Sequence, residues 1–312
     1  MTANLQNPIF LDDSKAREWL EARVWPKGPV CPHCGATGDD VTALKGKAHR
    51  PGLYQCSQCR EQFTVTVKTV FERSKVPLSK WLAALFMMTA SKKGVSAHQI
   101  HRSLGISYKT AWFLCHRLRE AMRTGGFAPM GSGGGIVEAD ETFIGRLEGQ
   151  PKGRAGWAHK NVVLTLVERG GSARSFHLDS VTVADVSPVV RANLSREARL
   201  MTDEGTYYRE VGAEFASHET VNHSTKEYAR GDVTTNTVEG YFSVFKRGMK
   251  DTYQHCSEKH LHRYLAEFDF RYSNRSALGV NDLMRAEIAI TGIKGKRLTY
   301  RRPNKIAKSE AH

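Results

Sequence analysis

Apolar and polar residues alternate along "GIVEADETFIG", residues 135–145, and the periodicity stays strand-like through "KNVVLTLVERG" (160–170) and "ARSFHLD" (173–179). Neighbouring side chains on a strand point to opposite faces, so this pattern predicts three consecutive strands with short turns, an antiparallel meander. "TVADVSPVVRANL" then reads as a helix and "ARLMTDEG" as a further short strand. "TNTVEGYFSVFKRGMK" and "SEKHLHRYLAEFDFRYSNR" read as helices. Upstream, residues 79–122 are helical with short breaks at Gly94 and Gly105. There Ile100, Leu104, Ile106, Trp112 or Leu114, Leu118 and Met122 recur at helical spacing. Val65 and Val67, alternating with Thr64 and Thr66, predict one more strand. The glycine-rich "TGGFAPMGSGGG" (124–135) separates the helical part from the alternating part and reads as a linker.

Charge narrows the function. The 312 residues carry 46 lysines and arginines against 32 acids, a formal net charge of +14. That excess predicts a polyanionic partner, most simply nucleic acid or an anionic membrane surface. No run approaches the roughly 18 apolar residues of a membrane span. The N-terminus has early acids and no basic-then-apolar order, so it does not read as a signal peptide. The expected location is the cytoplasm, in association with the nucleoid, where disulfides are rare.

The six cysteines therefore need another use. Cys31 and Cys34 in "CPHC" are followed after 21 residues by Cys56 and Cys59 in "CSQC". Two such knuckles close a tetrahedron of thiolates around one structural zinc, the pattern of a zinc ribbon with its second knuckle in a β-hairpin. Four cysteines leave no open ligand position, and Cys115 and Cys256 read as packing residues. After the ribbon, a helix of about nine residues, a glycine turn and a longer helix opening on Ser107 form the pattern of a helix-turn-helix. Tyr108, Lys109 and Thr110 fall where a recognition helix meets DNA; an ordinary helical hairpin has the same pattern.

Three strands, a helix, a strand and then helices is the order of a ribonuclease H-like α/β domain. In that order Asp140 lies mid-way along the first strand, Asp203 ends the fourth, and Glu239 falls in the first turn of a later helix. Each acid has a structural role open to it. Glu239 can close a capping box on Asn236, Asp203 can end a strand in a turn with Gly205, and Asp140 can be a buried acid satisfied by hydrogen bonds. Glu138, Glu141 and Glu204 read as supporting or solvent-facing acids.

The motifs "ADETFIG", "TDEG", "VNHSTKEYARGDVTTNTVEGYFSVFKRG" and "HLHRYLAEFDFRYSNR" occur in order, and from roughly Cys31 to Arg275 the chain resembles bacterial insertion-sequence DDE transposases. Within them it is similar to the branch that joins an N-terminal zinc ribbon and a helical DNA-binding region to the catalytic domain. The resemblance implies a catalytic triad of Asp140, Asp203 and Glu239 holding two Mg²⁺ ions, with Mn²⁺ as a substitute, for DNA cleavage and strand transfer. It implies terminal inverted repeats and a target as DNA partners, and a homo-oligomer in a synaptic complex. In this reading a divalent cation lets Glu138 and Asp140 share one strand face. Lys246 and Arg247, two helical turns beyond Glu239, join the candidate phosphate contacts, as do His223 and Lys226.

The expected organisation is multidomain. It comprises a segment with the zinc ribbon (1–72), a helix-turn-helix region (73–124), the linker (125–135), a ribonuclease H-like domain (136–290) and a basic tail (291–312). Two other functions share these features: a DNA-binding regulator with an inert C-terminal domain, and a ribonuclease H-like nuclease without strand transfer.

Overall fold

The computed structural model describes residues 5–299 apart from 124, 127, 148 and 150–156. Half of the glycine-rich basic stretch 146–161, "RLEGQPKGRAGWAHKN", and residues 300–312 of the expected tail therefore lie outside the described residues. The chain divides into two compact units, one built from residues 1–85, 97–121 and 289–312 and the other from 86–96 and 122–288. Among the described residues no helix is long and apolar enough to cross a membrane.

The first unit opens with helix α1 (Asp13–Val24), whose N-cap Asp12 accepts from the Ser14 and Lys15 amides. A three-stranded antiparallel sheet follows, β1 (Val41–Ala43), β2 (Tyr54–Cys56) and β3 (Gln62–Phe63). So small a sheet buries little, and aromatic packing supplements it. Phe63 is fully buried, stacked on Tyr54 and met edge-on by Trp25.

The strand expected over Val65–Val67 is absent. Thr64 and Thr66 bond each other at 2.9 Å, the Val67 amide returns to Thr64 O, and the Thr69 hydroxyl donates to Thr66 O. These local bonds curl the chain into turns and outcompete a sheet ladder. The unit also contains most of helix α2 (Leu78–Ala90), then α3 (Ala97–Leu104) and nearly all of α4 (Tyr108–Met122). Gly105, at a left-handed φ of +59°, makes the turn between α3 and α4. Ser107 caps α4 by accepting from the Thr110 amide.

The second unit is organised on a five-stranded mixed sheet. Its strands are β4 (Ile136–Ile144), β5 (Asn161–Glu168), β6 (Ala173–Leu178), β7 (Arg199–Thr202) and β8 (Ser217–Thr220), in the spatial order β6-β5-β4-β7-β8. The predicted meander is present, with β4, β5 and β6 antiparallel in turn. β7 and β8 run parallel to β4. Helix α5 (Val183–Asn193) makes the crossover from β6 to β7 and buries Val186 and Val190 with Val137, Ala139 and Leu164 of the sheet.

A short helix α6 (Arg209–Gly212) precedes β8, and a two-stranded ribbon, β9 (Ala229–Arg230) with β10 (Val233–Thr234), leads into helix α7 (Asn236–Arg247). After a π-helical segment over Gly248–Tyr253 come α8 (Glu258–Ser273) and α9 (Asp282–Thr291).

The core that positions α7 packs Val238, Tyr241, Phe242 and Phe245 against Val163 and Val167 of β5 and Leu265 and Phe268 of α8. A buried polar bridge fixes the same contact. Asp269 of α8 accepts from the Tyr241 hydroxyl (2.7 Å), the Ser175 hydroxyl (2.7 Å) and the Ser175 amide (2.8 Å). Of the segment read as a linker, residues 130–135 are built into this unit. Met130 bridges to Leu194, and the amides of Gly131 and Gly133 donate to Glu168 and Glu197.

Candidate active site and metal centres

The four cysteines of the two knuckles converge. Cys31 Sγ lies 3.6 Å from Cys59 Sγ, and Cys34 Sγ lies 3.6 Å from Cys56 Sγ. All four sulfurs are within 4.8 Å of one another. A tetrahedral zinc with bonds of about 2.3 Å sets its sulfurs about 3.8 Å apart, so the set fits the ion.

The backbone explains the convergence. Cys31 O accepts from the Gly35 amide at 2.9 Å, and Cys31 N donates to Ala36 O at 2.8 Å. Gly35 and Arg60, each directly after its knuckle, both adopt a left-handed φ, of 85° and 60°. Burial opposes ionisation of Cys31, but the Cys34 and His33 amides directed at its sulfur draw its pKa down to about 7. Against the Ala36 and Glu61 amides, burial and then hydrogen bonds with the neighbouring cysteines raise Cys34 above the ordinary thiol range and Cys59 to about 12.

The acids of the second unit converge through strand register. Glu138 of β4 pairs with Met201 of β7 in parallel, so two residues further on Asp140 and Asp203 come side by side. Carboxylate oxygens of Asp140, Glu141 and Asp203 all lie within 4.8 Å of one another. Burial, then the neighbouring Asp203 charge, raises Asp140 to about 7. Burial, then Asp140 and Asp203, raises Glu141 to about 8. Asp203 is raised mainly by burial, against the Gly205 amide that it accepts at 3.0 Å. Hard oxygen donors that repel one another in a partly buried place suit a divalent cation, which restores their ionised forms.

Glu239 stands beside this trio rather than in it. Its charge is felt at Asp140, its Oε1 accepts from the Thr235 hydroxyl at 2.9 Å, and His223 Nε2 lies 3.7 Å away. The capping box on Asn236 is not formed. The N-cap of α7 is Thr235, and Asn236 is the first helical residue. Asp203 does end its strand in a turn with Gly205, and it also faces Asp140; the two roles coexist.

Glu138 departs from the expectation that a divalent cation balances it. It is fully buried and ion-paired to Arg169 at 2.6 Å, so an arginine and not a metal offsets its charge. Glu204 is half-buried and held to about 2 by the Ser224 hydroxyl and the His223 amide.

Glu141, read from the sequence as a supporting or solvent-facing acid, lies in the cluster itself. Strict alternation turns it away from Asp140. However, the β4–β7 pairing stops at Glu138, and the hydroxyls of Tyr207 and Tyr208 take hold of its carboxylate. The consecutive tyrosines four and five residues after Asp203 were the available signal.

Among the candidate phosphate contacts, Lys246 is exposed on α7, and its charge reaches Asp140. Arg247 bonds back to Ser243 O (2.9 Å) and Oγ (2.7 Å) on the same helix. His223 lies tilted against Tyr228, with ring centroids 5.4 Å apart, and Lys226 sits at a left-handed φ of 63°. Arg271 is buried and paired with Glu267, which removes it from any DNA contact. In the first unit Tyr108 and Lys109 are exposed at the start of α4, with Tyr108 stacked on His98 at 4.1 Å. The Thr110 hydroxyl is bonded to Ser107 Oγ at 2.8 Å.

In comparison with known proteins, each centre falls within a matched domain. Residues 133–273 match the ISXO2-like transposase domain, and residues 11–62 match the transposase zinc-ribbon domain. Together the matches span more than half of the chain. The chain is also 27% identical over 278 residues to a Halobacterium salinarum protein described as belonging to the transposable element ISH50; the alignment covers 84% of this chain and 91% of that one.

Proposed function

Because the chain belongs to the insertion-sequence DDE transposases that carry an N-terminal zinc ribbon, we propose that it binds the ends of its element and catalyses their cleavage and transfer. The observation that carries this reading is the meeting of Asp140, mid-way along β4, with Asp203, directly after the parallel-paired β7, within the matched DDE domain. The sheet order, with an antiparallel meander flanked by two strands parallel to β4, supports a ribonuclease H-like fold for that domain. In the domain division this reading uses, the ribbon lies within 1–72, the helix-turn-helix within 73–124, and the linker and catalytic domain within 125–135 and 136–290.

Asp140 and Asp203, with Glu239 from α7, hold two divalent ions, Mg²⁺ or Mn²⁺. When bound, these activate the attacking oxygen and stabilise the leaving oxygen of an in-line displacement at phosphorus. Glu141 is tethered by the two tyrosines at the same place and supports the trio. Lys246 and Arg247 face the DNA backbone that this acidic site would otherwise repel. The four cysteines hold Zn²⁺ and shape the N-terminal ribbon. Tyr108, Lys109 and Thr110 present the start of α4 to DNA, and a homo-oligomer of the chain holds the two ends together in a synaptic complex. The protein then works in the cytoplasm, on the nucleoid.

Two assays test this reading. The full-length protein should bind element-end DNA with an affinity that falls steeply with salt. Lys109→Ala should weaken binding and reduce the slope of log K against log salt by about 0.9, one phosphate contact. An unchanged slope and affinity would remove α4 from the interface. A strand-transfer assay then separates a transposase, which joins the cleaved end to target DNA, from a nuclease, which releases it.

A further inference from the structure

Glu138 has no part in the mechanism above, yet its carboxylate is engaged by four hydrogen bonds. Its Oε1 accepts from Arg169 Nε (2.6 Å) and the Thr237 hydroxyl (2.8 Å). Its Oε2 accepts from the amides of Thr237 (2.7 Å) and Val238 (2.9 Å). Those amides belong to the first turn of α7, where free N–H groups and the positive end of the helix dipole call for an anion. The N-cap Thr235 makes no side-chain capping bond, so Glu138 of the sheet supplies it from 99 residues away. Arg169 extends the grip. It donates also to Asp232 O (2.7 Å) and Thr234 O (2.9 Å), in the ribbon that leads into the helix.

We propose that Glu138 is a positioning residue that sets the third acid of the site, Glu239, in register with Asp140. This rests on the metal-binding reading of the acids. The path between the two acids is short at both ends. Glu138 precedes Asp140 by two residues on one strand face, and Val238, whose amide it holds, directly precedes Glu239. A slip of the helix by about 1 Å would misplace a ligand, and a buried hydrogen-bonded carboxylate resists such a slip. Replacing a buried ion pair by apolar groups often costs no stability, so the pair's distinctive contribution is geometric. A glutamine cannot substitute fully, because one of its two ends presents N–H donors to the donors of Arg169 or of the helix.

The test measures Mn²⁺ binding to the full-length protein, by the paramagnetic resonance signal of free Mn²⁺, alongside thermal melts. Glu138→Gln should weaken Mn²⁺ affinity by roughly 10- to 100-fold, as loss of a group that orients a metal ligand does. Glu239→Gln should do the same. The double variant should bind no more weakly than Glu239→Gln alone, a non-additivity that a merely destabilising change does not produce. If Glu138→Gln does not fold, Thr237→Val removes one of the four bonds and should give a smaller loss, again absent in the Glu239→Gln background. Wild-type affinity in Glu138→Gln, no effect of Glu239→Gln, or additive losses would each overturn the proposal while leaving the metal site standing. Absence of Asp140-dependent Mn²⁺ binding in the wild type would instead sink the metal site itself, and the proposal with it.

Discussion

Asp140→Asn should abolish Mg²⁺-dependent cleavage and strand transfer while leaving binding of element-end DNA intact or slightly tighter. The substitution keeps the shape of the side chain and removes the charge that holds the ion. Loss of several kcal/mol of charge stabilisation corresponds to a fall of roughly 10³-fold or more in rate. The metal-free variant should melt no lower than the wild type, because Asp140 is largely buried against Asp203 and Glu141 and loses repulsion when neutralised. Added Mg²⁺ should raise the melting temperature of the wild type and not of the variant. Asp203→Asn should behave alike, since the strand register makes the two aspartates one unit. Glu239→Gln should lose activity with little change in melting temperature. Its oxygen can still accept from Thr235, and no backbone cap depends on it.

The second large effect belongs to the ribbon. Cys56→Ser should release the zinc and unfold residues roughly 28–70. Cys56 is fully buried, and its sulfur faces Cys34. The three short strands bury too little to fold on their own, and the binding free energy of a structural zinc, of order 10 kcal/mol, is there folding free energy. Elemental analysis should fall from one zinc per chain towards zero, with protease cleavage appearing in that stretch. Cys256→Ser, half-exposed and outside the cluster, should keep its zinc. Full zinc content in Cys56→Ser would contradict the assignment.

Local signals carried much of this into the sequence. The two knuckles are legible because four thiolates at such spacing have one common use, and the meander because β4 alternates and β5 is apolar almost throughout. Asp140 and Asp203 could be placed because each sits at a definable point on a strand. What escaped depends on distant partners or on polar strands. β8, "SHET", carries no apolar pattern and is held by its pairing with β7 and by polar bonds, Glu219 to Arg199 and His218 to Thr202. Val65 and Val67 alternate as a strand does, but the threonines between them bond locally. The pairing of Glu138 is the clearest case. Its arginine lies 31 residues away and its helix amides about 100, so local sequence left a cation as the natural partner for two carboxylates on one face. Asp140 keeps that explanation; Glu138 is answered by Arg169 and a helix N-terminus.

The central claim is that these acids make the chain a metal-dependent DNA strand-transferring enzyme. The most direct test incubates purified full-length protein with labelled DNA carrying the element's own ends and a target plasmid, with Mg²⁺ or with EDTA. The account predicts cleaved ends and end–target joints with Mg²⁺ and neither with EDTA. End binding without cleavage in Mg²⁺ or Mn²⁺, or cleavage that persists in EDTA, would contradict it.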